Sequence, residues 1–137
     1  MTTYVVGLLF DALNEHVLLI RKNRPSWQKG KLNGVGGKVE TTEIPYEAMV
    51  RECEEECGLL LYNWLLVDVF TDNSTYEVYF FTSQTTALHK ATSKTDELIE
   101  VHRIKDLFDH NFGMDLVVYP TNVLILDYYK KWSNTLC

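Results

Sequence analysis

The sequence predicts a mixed α/β or α+β domain, with strands on either side of one central helix. Short apolar segments bounded by turn residues indicate strands, and residues 45–57 show the periodicity of a helix with one apolar face. This order of elements predicts helices packed in layers on a sheet. A length of 137 residues is enough for one domain, residues 1–137, with its own hydrophobic core.

The first strands are predicted on either side of a turn. Residues 4–10 and 17–21 are rich in aliphatic and aromatic side chains and are predicted to be strands, and residues 11–16 supply the turn between them. Residues 24–36 are predicted to be a loop, because proline and glycine interrupt them repeatedly.

The central helix has a signal at each end. Pro45 suits the first helical position, and Glu47 lies in the first turn, where a negative charge is favourable. Ile44 takes the capping position, for which it is a poor residue. Gly58 is predicted to end the helix in a left-handed conformation.

The second half of the chain is predicted to add three strands and two helices. Residues 60–70 and 76–82 are predicted strands joined across residues 72–74, and residues 98–104 are a shorter strand. Residues 105–109 are predicted to form one helical turn. A proline opens the predicted terminal helix, residues 120–132.

The composition argues against several classes of function. A formal net charge of −6 disfavours broad binding to nucleic acids or anionic membranes. No apolar run approaches the roughly 20 residues of a membrane span, and residues 5–10 are too short for the apolar part of a secretion signal. Cys53, Cys57 and Cys137 do not make a disulfide framework, which predicts reduced thiols and a cytoplasmic location. We expect neither a membrane partner nor a stable nucleic-acid complex.

One face of the central helix is strongly acidic. Glu52, Glu55 and Glu56 fall within about 100° of each other, and like charges on adjacent turns destabilise a helix. A divalent cation is the obvious compensation, and a ligand set made only of oxygen suits Mg²⁺ or Mn²⁺. The alternative is a solvated acidic face without a metal. Another face carries an apolar stripe suited to packing on a sheet: Tyr46, Met49, Val50, Cys53 and Cys57.

Residues 37–59 resemble the signature of the Nudix hydrolases, G-x5-E-x7-R-E-U-x-E-E-x-G-U, where U is a bulky aliphatic residue. Cys53 occupies the first U position and is apolar enough to pack there. The resemblance implies the Nudix fold, an α/β/α sandwich with a mixed sheet. The matching residues are Gly37, Glu43, Arg51, Glu52, Glu55, Glu56, Gly58 and Leu59.

Similarity to this family implies that water attacks a phosphorus atom in the diphosphate bond of a nucleotide. The implied metal ligands are Glu52, Glu55 and Glu56, with the backbone carbonyl of Gly36 as a fourth, and the ion is Mg²⁺ or Mn²⁺. Glu52 can also accept the proton of the attacking water. Arg51 is assigned to orienting a carboxylate, because an isolated arginine among metal ligands would repel the metal.

Four further residues have open roles. Glu43 precedes the helix, and it either braces the loop and Arg51 or acts directly in catalysis. Glu97 lies in a polar loop, where related enzymes place an acidic residue over the metal as ligand or base; the alternative is a solvated charge. Lys22 and Lys38 are either phosphate contacts or ordinary surface lysines.

Residues 33–39 resemble the N-G-x-G-G-K-V segment of MutT-type Nudix enzymes, which destroy oxidised purine nucleoside triphosphates. In those enzymes the asparagine reads the base edge, because an amide both donates and accepts hydrogen bonds. Asn33 takes that place here, with Asp115 as the nearest candidate for a late acidic residue against the base. The alternative for Asn33 is an ordinary turn residue before Gly34.

These observations favour a Mg²⁺-dependent enzyme that converts a (d)NTP or an oxidised purine NTP to the nucleoside monophosphate and pyrophosphate. Nucleotide sugars, ADP-ribose and dinucleoside polyphosphates are rival substrates. A non-catalytic nucleotide sensor is a further alternative, although such sensors usually lack one of the glutamates that this chain keeps. The expected partner is a small nucleotide, and the sequence leaves the oligomeric state open.

Overall fold

Seven strands form one mixed sheet in the described part of the chain, residues 1–109 and 115–133 of a computed structural model. The strands are β1 (Thr2–Asp11), β2 (His16–Arg21), β3 (Leu32–Asn33), β4 (Val35–Lys38), β5 (Leu65–Thr71), β6 (Tyr76–Thr85) and β7 (Ile99–Arg103). β1 pairs in parallel with β6 on one edge and antiparallel with β2 and β4 on the other. β3 and β7 both pair with β2, and β5 pairs with β6.

Helices cover both faces of this sheet. They are α1 (Pro45–Cys57), α2 (Ile104–Leu107) and α3 (Thr121–Ser133). Side chains of β1 alternate between two buried clusters, so that Val5 and Leu9 pack with α1, whereas Leu8 and Phe10 pack with α2 and α3. The expected α/β/α sandwich with a mixed sheet is confirmed. No helix in the described residues is long and apolar enough to cross a membrane.

Helix α1 begins and ends where its sequence signals predict. Pro45 is its first residue, and Gly58 follows its last with φ 77°, a left-handed conformation that glycine adopts without strain. Ile44 has no polar side chain with which to cap the helix, and its backbone N–H donates to Glu47 Oε1 at 3.0 Å. Three residues of the predicted apolar stripe are wholly buried against the sheet: Met49, Cys53 and Cys57.

Two predictions about the sheet were wrong in part. Residues 24–36, predicted to be a loop, contain β3, the start of β4 and a 3-10 turn (Ser26–Gln28). Glycine-rich β4 has low strand propensity, and only its pairing with β1, where Gly36 lies opposite Val6, makes it a strand. The strand predicted at residues 60–70 begins at Leu65, because pairing with β6 starts there.

The remaining elements agree with the predictions to within three residues at each end. β7 lies within the predicted strand at residues 98–104, and α2 overlaps the predicted turn at residues 105–109. α3 is the predicted terminal helix, shifted by one residue. Cys137 lies outside the described residues.

Candidate functional site

The carboxylates of α1 lie against the glycine-rich strand β4. Glu56 Oε1 accepts a hydrogen bond of 2.8 Å from the backbone N–H of Gly36. The Glu52 carboxylate lies so close to Gly37 that a Cβ atom there would come within 2.5 Å of Glu52 Oε1. Glycine at position 37 therefore lets the strand approach the Glu52 carboxylate closely.

Glu56 is an unusual carboxylate because it is only 7% exposed. Burial raises its pKa to about 8, the Gly36 hydrogen bond opposes that shift, and the charges of Glu52 and Glu97 add to it. Burial also raises the pKa of Glu52 above its ordinary value. Burial therefore disfavours the ionised form of both carboxylates, and a cation bound beside them would favour it.

Arg51 joins the loop before α1 to the acidic face of the helix. Its Nε and Nη2 donate to the two oxygens of Glu43 at 3.0 and 2.5 Å. Its Nη1 donates to Glu52 Oε1 at 2.9 Å and to Glu55 Oε2 at 3.1 Å, and the Lys38 carbonyl accepts from Nη2 at 3.1 Å. The Glu43 bonds raise the pKa of Arg51 and lower that of Glu43, so both groups stay ionised.

Glu97 is a buried carboxylate that accepts from three donors. Lys22 Nζ donates to Oε1 at 2.8 Å, and the backbone N–H groups of Asn23 and Arg24 donate to Oε2 at 2.7 and 3.2 Å. Burial raises the pKa of Glu97, but these hydrogen bonds more than offset it, so the pKa lies below its ordinary value. The charge of Lys22 lowers the pKa of Glu56, and the charge of Glu97 raises it.

The amide of Asn33 on β3 is held by three neighbours. Its Oδ1 accepts from the Gly34 N–H at 2.8 Å and from the Thr121 hydroxyl at 2.6 Å, and its Nδ2 donates to Gln28 Oε1 at 3.1 Å. Asn33 remains partly exposed. The sequence did not predict Gln28 or Thr121, since no motif marks either and Thr121 lies 88 residues along the chain from Asn33.

Lys38 and Asp115 both have exposed side chains. Asp115 lies two residues before Val117, which forms a parallel bridge with Leu32, the neighbour of Asn33. The structure thus brings the backbone around Asp115 to the edge of the sheet that carries Asn33. In the described residues, no hydrogen bond joins the side chain of Asp115 directly to that of Asn33.

The donor set of the carboxylate cluster suits a hard divalent cation. Glu52, Glu55, Glu56 and the Gly36 carbonyl offer only oxygen, and a cation would favour the ionised form of Glu56, which burial disfavours. As the side chains stand, Glu52 and Glu55 are hydrogen-bonded to Arg51, and no three His, Cys, Asp or Glu side chains in the described residues converge on a metal position. Arg51 takes one oxygen of each of these two carboxylates, so an ion would be held by the other oxygen of each.

Two cavities lie elsewhere in the described residues. One of about 370 Å³ is lined by β5, β6 and α3, and one of about 550 Å³ lies beside His16 and His89. Neither cavity is lined by a carboxylate of α1. The chemistry of the side chains, rather than the size of a cavity, therefore marks the candidate site.

Two solved structures share this fold. A MutT from a study of the proteins of Aliivibrio salmonicida and Vibrio cholerae is 20% identical, with a TM-score of 0.68 over 93% of this chain and 94% of that chain. A NUDIX-family hydrolase from Clostridium perfringens is 17% identical, with a TM-score of 0.69 over 93% of this chain and 95% of that chain. At these identities the likeness shows the fold. Comparison with curated proteins gives no match.

The family comparison covers most of the chain. Residues 1–118 match the family model of the NUDIX domain. That range contains every strand of the sheet, helices α1 and α2, and all of the carboxylates bonded to Arg51. This chain therefore belongs to the NUDIX domain family and is a Nudix hydrolase.

Proposed function

We propose that this enzyme hydrolyses a (d)NTP or an oxidised purine NTP to the nucleoside monophosphate and pyrophosphate, with Mg²⁺ or Mn²⁺ as cofactor. The observation that carries the proposal is the buried carboxyl group of Glu56, held by Gly36, whose ionised form burial disfavours and a bound cation would favour. Nucleotide phosphates bind proteins together with such cations, so a site that attracts the cation also suits the substrate. Residues 1–137 would act as one domain in the cytoplasm, where the buried thiols stay reduced.

Four groups would hold the cation: the carboxylates of Glu52, Glu55 and Glu56, and the carbonyl of Gly36. When bound, a divalent cation neutralises phosphate charge and lowers the pKa of water. Arg51 positions the carboxylates, because it donates to Glu52 and Glu55 while two hydrogen bonds to Glu43 fix its own guanidinium.

Glu52 is better placed than Glu97 to accept the proton of the attacking water. Both oxygens of Glu97 already accept hydrogen bonds, whereas in the described residues only Oε1 of Glu52 does. We assign Glu97 a positioning role, in which it holds the ammonium group of Lys22 at 2.8 Å for contact with a substrate phosphate.

The nucleotide itself would be bound by side chains around β3 and β4. Lys22 and Lys38 suit contact with phosphates, because lysine is a mobile point charge. Asn33 and Asp115 suit contact with the base, since Asn33 is partly exposed and the Asp115 segment lies at the same edge of the sheet. Small nucleotides are the expected partners, with neither nucleic acid nor membrane involved.

A substrate panel tests the proposal. The purified enzyme is incubated with Mg²⁺ and with purine and pyrimidine NTPs, oxidised dNTPs, nucleotide sugars, ADP-ribose and dinucleoside polyphosphates, and every product is identified by mass spectrometry. We expect a purine triphosphate to give the monophosphate and pyrophosphate, and chelation of the metal to stop the reaction. A preference for ADP-ribose or a nucleotide sugar over every triphosphate would contradict the proposal. Nucleotide binding without turnover of any compound would identify a sensor instead.

A further inference from the structure

The amide of Asn33 has little hydrogen-bonding capacity left for a ligand. Its oxygen accepts from the backbone N–H of Gly34 and the hydroxyl of Thr121, and its nitrogen donates to Gln28 Oε1. Thr121 is the first residue of α3, and Gln28 ends the 3-10 turn before β3. Three separate segments of the chain therefore hold one partly exposed amide.

The identity of the two amide atoms follows from these partners. A backbone N–H can only donate, so the Asn33 atom that faces Gly34 N–H at 2.8 Å must be the oxygen. The Asn33 nitrogen then faces Gln28, whose facing atom must be an acceptor. Because an amide oxygen has no proton to give, the Thr121 hydroxyl must donate in its contact with Asn33.

These bonds leave Asn33 able to donate a hydrogen bond to a ligand but not to accept one. An amide oxygen has two acceptor positions, and Gly34 and Thr121 occupy both. The amide nitrogen has two protons, and Gln28 takes one. What Asn33 can offer a ligand without losing a bond is a single N–H donor.

We propose that Thr121 and Gln28 determine base specificity by fixing the Asn33 amide as a donor, so that the favoured base presents a hydrogen-bond acceptor to it. The inference rests on the proposed function, in which Asn33 contacts the base. Thr121 is 1% exposed, so it acts through Asn33 as a positioning residue rather than by touching the substrate. A base with an amino group at this position would set a donor against the remaining Asn33 N–H, or would force the amide to flip and lose the Gly34 and Thr121 bonds, which is costly in a partly buried site.

Matched nucleotide pairs test this inference. The pairs are ITP against ATP, GTP against 7-deaza-GTP, and ATP against 3-deaza-ATP. The first member of each pair bears the acceptor that the second lacks: O6 in ITP, N7 in GTP and N3 in ATP. The ratio of kcat/KM within each pair is measured for the wild type and for Asn33→Ala, Thr121→Val, Thr121→Ser, Gln28→Leu and Gln28→Glu. Thr85→Val is the matched control, because it removes another buried threonine hydroxyl, at the end of β6.

We expect at least one pair in which the wild type prefers the acceptor-bearing member at least fivefold, the factor that one net hydrogen bond of about 1 kcal/mol supplies. Asn33→Ala should abolish this preference. Thr121→Val and Gln28→Leu should reduce it at least threefold, whereas Thr121→Ser and Gln28→Glu, which keep the donor and the acceptor respectively, should retain it. Thr85→Val should leave every ratio unchanged.

The outcomes separate the inference from the proposed function. Preference lost in Asn33→Ala but kept in both Thr121→Val and Gln28→Leu would overturn the inference and leave base reading by Asn33 intact. Ratios that do not respond to Asn33→Ala would overturn both the inference and that base contact. Absence of triphosphate hydrolysis would overturn the proposed function itself. If Thr121→Val does not fold, Gln28→Leu decides, since Gln28 is a partly exposed turn residue.

Discussion

The carboxylate of Glu56 and the backbone N–H of Gly36 are joined by a hydrogen bond of 2.8 Å that ties helix α1 to strand β4. The bond holds a carboxyl group that is 7% exposed against the glycine-rich strand. One contact therefore fixes both the position of a proposed metal ligand and the spacing between a helix and the sheet.

Removing a proposed ligand charge should stop turnover without unfolding the protein. We expect Glu56→Gln and Glu55→Gln to lower kcat at least about 100-fold, because a lost metal contact removes several kcal/mol of transition-state stabilisation. Glu54→Gln is the control, since Glu54 lies on the same helix with an exposed side chain. The measurement is turnover across a Mg²⁺ titration, with thermal unfolding to verify each fold. Wild-type turnover by either folded variant at limiting Mg²⁺ would refute the ligand assignment.

Alanine at Gly36 and alanine at Gly37 of β4 should act in different ways. At Gly36 a Cβ atom would overlap the carbonyl oxygen of Val5, so Gly36→Ala must push β4 away from β1, and we expect it to cost about 3 kcal/mol of unfolding free energy or more. At Gly37 the Cβ meets only the flexible Glu52 carboxylate, so Gly37→Ala should lower turnover at least about tenfold with a smaller stability loss. Denaturant unfolding and steady-state kinetics separate the two. A greater loss of stability in Gly37→Ala than in Gly36→Ala would contradict this account.

The Arg21–Glu100 pair should make a pH-dependent contribution to stability. Arg21 donates to both carboxylate oxygens of Glu100 at 2.6 and 2.8 Å, which lowers the pKa of Glu100 below its ordinary value of 4.5. A lowered folded-state pKa stabilises the protein above pH 4.5, and the contribution is lost as the pH falls through the folded-state value. We expect Glu100→Gln to destabilise by about 1 kcal/mol at pH 7, because both side chains are about one-third exposed.

The difference in unfolding free energy between wild type and Glu100→Gln should shrink as the pH falls below 4.5. Chemical denaturation from pH 7 to pH 3 measures it. Glu15→Gln is a suitable control, because the Glu15 side chain is exposed. A difference that stays constant or grows in acid would show that the pair does not act through ionisation of Glu100.

The thiols of Cys53 and Cys57 should be unreactive in the native protein. Both are wholly buried, with the sulfur atoms 3.5 Å apart and no disulfide between them. Their mutual hydrogen bond raises the pKa of Cys53 and lowers that of Cys57, but burial keeps a reagent away from both sulfur atoms. In a Cys137→Ser background, we expect a thiol reagent to label neither residue until denaturant unfolds the chain. Rapid labelling under native conditions, or a stoichiometric disulfide in the mass spectrum, would count against buried reduced thiols.

The sequence predicted those parts of the fold whose signals are local. Helix α1 was predicted from Pro45, Gly58 and an apolar stripe, and each of these acts within one or two turns of the helix. Strand β4 was missed because two of its four residues are glycines, and its strand conformation depends on pairing with β1, some 30 residues earlier in the chain. The strand propensity of the β4 residues cannot indicate a pairing with a segment so far away in the chain.

In the candidate site, too, local features could be predicted from the sequence, and contacts between distant segments could not. Spacing along one helix was enough to predict that Glu52, Glu55 and Glu56 share a face. The contact between Lys22 and Glu97, which lie 75 residues apart, could not be predicted from spacing. The hydrogen bond from Thr121 to Asn33 is likewise a product of the folded topology, and neither residue type is rare enough to draw attention in the sequence.

The parallel pairing of β1 with β6 has a consequence for biosynthesis. Thr3 lies opposite Glu77, so β1 leaves the ribosome before β6 and must wait for a partner 74 residues behind it. Until β6 is made, one edge of the central strand has no partner and the apolar side chains of β1 lack part of their cover. Nascent chains that end before residue 76 are therefore expected to depend on chaperones, and the domain to acquire protease resistance only late in translation.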